Sequence, residues 1–118
     1  VQVGTALLCA DEAATSAMHR AALMSEAARH TTVTNVFTGR PARGIVNFAI
    51  RELGDGDGIS ALAPPFPYAG NAMGMLKGAA EKQGKADFSS LWSGQNASQC
   101  REAPAADIVA ALSQGFSR

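Results

Sequence analysis

Aromatic residues are scarce in this chain. Five Phe, one Trp and one Tyr are spread over 118 residues, so a self-sufficient core built from this set would be thin. Long apolar runs are missing too: none approaches the roughly 18 residues a helix needs to cross a bilayer. Neither charge is in excess. Ten basic and ten acidic residues cancel, which gives no electrostatic footprint for nucleic acid or an anionic membrane as a partner. No metal is expected. Asp55-Gly-Asp57-Gly opens like a calcium loop, but Ile59 stands at the next ligand position and no Glu closes the frame. Cysteine is limited to Cys9 and Cys100. They lie far apart in sequence and read as reduced thiols of a cytoplasmic protein, with a disulfide as the lesser alternative.

What is present begins at Val1-Gln2-Val3-Gly4-Thr5. The β-branched pair predicts a buried strand over residues 1–9 that runs into a glycine turn. A glycine followed by a hydroxyl residue lets backbone N–H groups approach a phosphate closely. Such a strand needs neighbours on both sides, so the expectation is the tail of a larger protein. Ser16 suits the cap of a helix over 17–29. Thr31 to Phe37 reads as a short strand, and Gly39-Arg40-Pro41 as a turn. Val46, Ala49, Ile50 and Leu53 fall at i, i+3, i+4 and i+7, predicting a helix over 42–53 closed by Gly54. The Gly/Pro-rich stretch 54–68 is a connector. Asn71 is the expected cap of a helix over 72–83 burying Met75, Leu76 and Ala79. Pro104 suits the first turn of a last helix, with Ile108, Val109 and Leu112 facing inward.

Taken in order, VQVGT, TSAMHRAAL, FTGRPARGI, APPFPY and DFSSLWSGQ resemble the C-terminal third of the FMN-dependent nitronate monooxygenases, formerly the 2-nitropropane dioxygenases. The resemblance spans nearly the whole chain, and FTGRPARG and SLWSGQ are its most specific parts. It implies an α/β fold: the C-terminal part of a TIM (β/α)8 barrel, which takes about 250 residues when complete, plus a mostly helical C-terminal region. Residues 1–30 would be the last barrel strand and helix, with Val1–Leu8 on the eighth strand. Residues 31–118 would pack beside the barrel mouth. The family's Gln-x-Gly-Thr segment holds the FMN phosphate, which carries over to Gln2, Val3, Gly4 and Thr5. The implied reaction is oxidation of alkyl nitronates, of the propionate 3-nitronate type, by O2 to a carbonyl compound and nitrite. The rest of the enzyme is the implied partner. The family's active-site histidine lies upstream of Val1, so no catalytic residue is assigned in this segment.

Neither His19 nor His30 matches that histidine. His19 reads as solvated or capping, and His30 as a residue facing a helix C-terminus. Arg40 and Tyr68 are weak substrate candidates. Arg40 and Arg43 fit equally well as pins for a turn. Trp92 reads as an anchor for the C-terminal helices, and Gln95 as a side chain reaching a polar partner near the flavin. Phe48 follows Asn47 where relatives often carry a basic residue, which points to a packing surface. Two other readings compete. One is an NAD(P)H-dependent flavin reductase on the same barrel, of the enoyl-thioester or quinone reductase type. The other is a non-enzymatic packing module.

Overall fold

The computed structural model describes residues 2–116. Seven regular elements follow one another: α1 (Thr5–Leu8), α2 (Ala17–Leu23), β1 (Thr31–Thr34), β2 (Ala42–Ile45), α3 (Phe48–Leu53), α4 (Ala69–Glu81) and α5 (Ala105–Ser113). Single 3-10 turns lie at Glu26–Arg29, Ala97–Gln99 and Gln114–Phe116. β1 and β2 form an antiparallel hairpin with Thr31 opposite Ile45 and Thr34 opposite Ala42. The other edge of β2 is covered by residues 91–93. Ile45 N–H donates to the Leu91 carbonyl (2.8 Å), and Ser93 N–H donates to the Arg43 carbonyl (3.1 Å). Gly44 permits that approach, because a Cβ there would sit 3.0 Å from the Leu91 carbonyl oxygen.

Two apolar clusters hold the elements together. One gathers Cys9, Leu23, Ala28, Ile45, Leu91 and Ala97; the other gathers Val36, Phe37, Ala49, Ile50 and Met73. Trp92 packs edge-on against Phe37 with ring centroids 5.7 Å apart. It therefore anchors the turn after β1 rather than the C-terminal helices. The radius of gyration is 15.2 Å, against about 13.5 Å for a compact domain of this length. Large apolar side chains stand in the open to match: Leu62 is 90% exposed and Met75 82%.

Several local expectations are corrected. Residues 5–8 are helical, not the continuation of a strand, and Val1 lies outside the described residues. Among the described residues no strand lies beside Thr-Ala-Leu-Leu, and Ala and Leu are good helix formers. The assignment of Val1–Leu8 to a barrel strand therefore fails from Thr5 onward. The helix expected over 17–29 stops at Leu23. There the Ser25 hydroxyl donates to the Ala22 carbonyl (2.8 Å) and accepts from Ala27 N–H (3.2 Å), a local bond pattern that competes with helix. The strand expected to Phe37 ends at Thr34 in a turn closed by Gly39 N–H on the Asn35 carbonyl (2.8 Å).

The helix predicted over 42–53 is half strand. Residues 42–45 pair with β1, and the helix starts only after Asn47. The periodic residues Ala49, Ile50 and Leu53 are in α3, while residues 42–45, outside that spacing, are paired on both edges as strand. In the region 31–118 a hairpin thus stands beside the helices. Helix α4 begins at Ala69, so Asn71 is inside it. Its buried residues are Ala69, Met73 and Ala80, while Met75, Leu76 and Ala79 face out. Pro104 caps α5 and Ile108 is buried, but Val109 and Leu112 are exposed.

The start and end of the chain meet. Ala10 bridges Ala103 in parallel, and Asp11 N–H donates to the Ala103 carbonyl (3.0 Å). Glu12 accepts the Ala105 N–H (2.9 Å) at the first turn of α5. That bond holds the Glu12 carboxyl below the usual carboxylate range. A carboxylate depressed on folding stabilises fully above its unfolded pKa of about 4.3 and loses this as pH falls through the lower folded value. Glu12→Ala is therefore expected to loosen α5 at pH 7, read as faster exchange of the Ala105 amide. The difference from wild type should shrink as pH falls below the ordinary carboxylate range; a difference that does not change with pH would show the carboxylate is not the cap.

Candidate functional site

The Gly-Thr segment does not stand alone. Gln2, Gly4 and Thr5 line one side of a cleft of about 450 Å³, and Gly94, Gln95 and Asn96 line the other. A direct bond joins the walls, Gly94 N–H donating to Thr5 Oγ1 at 2.8 Å. This fixes what the hydroxyl can do. Its oxygen is used as an acceptor, so its own proton is left to donate elsewhere. The second wall is held from behind. Ser93 N–H is tied to the Arg43 carbonyl of β2, Ala97 is buried, and His19 Nε2 lies 2.9 Å from the Trp92 carbonyl. A carbonyl only accepts, so Nε2 carries the proton. His19 is thus a brace for the 92–94 segment, correcting its reading as solvated or capping. His30 ends the Glu26–Arg29 turn, with its carbonyl accepting from Val46 N–H.

Gly4 is informative because the fold does not need it. Its backbone (φ −109°, ψ −57°) suits any L-residue, and a Cβ there would meet nothing within 4 Å. The space it leaves open faces the cleft. No charged side chain lines that cleft among the described residues. Its donors are neutral: backbone N–H groups, the Thr5 hydroxyl and the amides of Gln2, Gln95, Asn96 and Gln99. Arg101 lines the adjoining cleft with Ala6 and Gln99. This donor set suits a phosphate bound by dipoles rather than by a salt bridge.

Arg40 and Tyr68 do not line this cleft. The Arg40 guanidinium lies 4.5 Å from the centre of the Phe66 ring, a cation–π contact. Its backbone N–H and carbonyl both bond the Thr38 hydroxyl. Arg43 donates to the Thr31 carbonyl and hydroxyl (3.2 Å each), pinning the hairpin. Tyr68 precedes α4 and is exposed. Phe48 is half-exposed and packs on Phe88, centroids 5.6 Å apart. Among the described residues no group of His, Cys, Asp or Glu is arranged to hold a metal, and no helix is long and apolar enough to cross a membrane.

Sequence reasoning missed Asn96, Gln99 and Leu112 as lining residues. The one available signal was the Gly94-Gln95 pair, whose first residue donates its backbone N–H to Thr5. That contact spans nearly the whole chain, and no spacing rule reports it.

Comparison with known proteins identifies a family. The family model described as nitronate monooxygenase matches residues 1–115. A nitronate monooxygenase of Pseudomonas aeruginosa is 36% identical over 112 residues, covering 95% of this chain and 31% of the relative. One from Paraburkholderia phytofirmans is 38% identical over 111 residues, 94% of this chain and 30% of the relative. The crystal structure of a nitroalkane oxidase from Streptomyces ansochromogenes superposes with a TM-score of 0.82 at 37% identity, over 96% of this chain and 31% of that one. The chain belongs to the nitronate monooxygenase family. It spans about three tenths of the length of the relatives it matches.

Proposed function

We propose that the protein carrying this chain oxidises alkyl nitronates of the propionate 3-nitronate type with O2, giving a carbonyl compound and nitrite. In this reading residues 1–30 close a TIM barrel with their first few residues and hold the FMN phosphate, and residues 31–118 pack beside the barrel mouth. The barrel's N-terminal remainder covers the exposed apolar side chains of this segment, and the enzyme is cytoplasmic. The observation that carries the proposal is the pairing of a sterically free Gly4 with a Thr5 hydroxyl whose oxygen is already bonded to Gly94.

Bound FMN would supply the redox chemistry of the reaction. The chain's own contribution is binding and orientation. Val3, Gly4 and Thr5 present backbone N–H groups at the cleft, the Thr5 hydroxyl donates its remaining proton, and the Gln2 amide adds a further donor. The Gly94 bond sets the rotamer of Thr5 before ligand arrives, so little ordering is left for binding. Arg40 and Tyr68 remain the substrate-side candidates, since both side chains are exposed, Arg40 against the Phe66 ring.

The test uses the whole protein. Nitronate-dependent O2 uptake without NADH is expected, from a preparation with bound FMN. A strict requirement for NADH would favour the flavin reductase reading, and a flavin-free protein would favour the packing module. Thr5→Val removes one donor to an ionised group, worth about 1.5–3 kcal/mol. FMN affinity should fall roughly ten- to a hundredfold, while riboflavin, which has no phosphate, binds the variant and wild type alike. Equal losses for both ligands would place Thr5 away from the phosphate.

A further inference from the structure

A second cleft, of about 310 Å³, lies between α4 and the 88–92 segment and shares no lining residue with the Gly4 cleft. Phe37, Phe88 and Trp92 give it aromatic walls, and Gly74 of α4 leaves one side bare. A Cβ at Gly74 would meet nothing within 4 Å. Lys77 stands one turn further along the same helix, and among the described residues it is the one charged side chain in the lining. We propose that this cleft binds a small organic carboxylate with a flat or apolar body, with Lys77 taking the charge.

The Lys77 ammonium is poorly used by the fold itself. It comes no nearer than 3.9 Å to the Glu81 carboxylate, and both side chains are partly exposed. The same Glu81 oxygen is engaged elsewhere, accepting the Ser89 hydroxyl at 2.6 Å. An exposed i, i+4 pair this long contributes little, so turning the ammonium toward a ligand costs little. Ser90 adds a hydroxyl to the lining. The Thr38 hydroxyl, also in the lining, is already tied to the backbone of Arg40 as donor and as acceptor.

This arrangement selects a ligand class. Mostly apolar walls with a few placed polar groups are the usual form of a small-molecule site. One positive charge matches one carboxylate, and the rings match the body that carries it. A phosphate, with a charge of about −1.5 to −2, would find a single cation here. Trp92 and Gly94 set the two clefts only two residues apart along one segment, about 7 Å of extended chain. A carboxylate at Lys77 and a phosphate at Thr5 can therefore belong to neighbouring ligands. The carboxylate comes from the substrate itself or from a free acid, since both present the same group.

The test is titration of the whole protein with benzoate, a ring bearing one carboxylate, and with benzamide, its neutral counterpart. Binding is read by ligand-observed saturation-transfer NMR. Wild type should bind benzoate about tenfold more tightly than benzamide. Lys77→Met should bring benzoate to the benzamide level, Lys77→Arg should keep most of the difference, and Gly74→Leu should weaken both by filling the space. Benzoate binding indifferent to Lys77→Met would overturn the proposal, as would no binding to wild type. If Gly74→Leu fails to fold, the Lys77 variants still decide. A kinetic arm separates the two sources, and it alone rests on nitronate oxidation as the activity. If the substrate's own carboxylate sits here, Lys77→Met raises KM for propionate 3-nitronate about tenfold more than for ethyl nitronate. If a free acid does, the two KM values move together. A protein inactive on both nitronates would count against nitronate oxidation and leave the benzoate result standing.

Discussion

Asn47→Ala is expected to destabilise the fold by about 2–4 kcal/mol. Asn47 is buried and uses its whole amide. Its Nδ2 donates to the carbonyls of Ala86 (2.9 Å) and Ser89 (2.8 Å), and its Oδ1 accepts from Ile50 N–H at the start of α3. Alanine leaves the Ser89 carbonyl without its donor, at about 1–3 kcal/mol when buried, and removes a helix cap worth about 1 kcal/mol; the Ala86 carbonyl keeps its bond from Ser89 N–H (3.1 Å). Total stability is typically about 5–15 kcal/mol, so much of the margin would go. Asn47→Asp is a sharper control. It keeps the cap but sets a carboxylate against two carbonyls, and should be nearly as damaging near neutral pH. Urea unfolding of the protein carrying the chain reads both. A loss under 1 kcal/mol for Asn47→Ala would mean that the 86–89 segment is held by something else.

The second large effect is expected at Gly39, in the Gly39-Arg40-Pro41 turn. Its φ of +86° lies in the left-handed region, which costs a residue with a Cβ about 1–2 kcal/mol. The site is also closed. A Cβ would collide with the backbone nitrogen of Phe66 and the carbonyl oxygen of Pro64. Overpacking against main chain that cannot rotate away adds about 1–3 kcal/mol. Gly39→Ala should therefore lose about 2–5 kcal/mol and free the 64–68 segment, visible as new proteolytic cleavage between Leu62 and Tyr68. Gly74→Ala is the matched control, since a Cβ there meets nothing within 4 Å and the residue sits inside α4. It should stabilise, by up to about 1 kcal/mol. Equal behaviour of the two variants would refute the close approach at Gly39.

These two positions show what was readable from sequence. Gly39 and Pro41 were legible as a shaped turn, and the structure supplies the reason: the turn receives the Pro64–Phe66 backbone. Ser16 as a cap and Ile108 as a buried residue follow from local rules, and they hold. The errors sit where partners lie far along the chain. Residues 42–45 were drawn into the helix that Val46, Ala49, Ile50 and Leu53 predict, yet they lie between β1 and residues 91–93. Met75 and Leu76 are apolar, yet the buried stripe of α4 runs through Ala69, Met73 and Ala80. Periodicity names a stripe only when one face dominates, and α4 has small or apolar residues on several. In the site, Gln2 to Thr5 and Gln95 were singled out separately. Their meeting depends on the Thr5–Gly94 bond, which no local pattern encodes.

Residues 10 and 103 are hydrogen-bonded neighbours, so everything between them hangs from two adjacent tethers. A unit attached in this way behaves as a cassette. Splicing residues 9–103 into an exposed loop of an unrelated host, at a site where the host chain leaves and returns at neighbouring positions, should strain neither body. By the same geometry, a short linker joining residues 10 and 103, with new ends opened at the Gly56 loop tip, would give a permuted chain with the same hairpin.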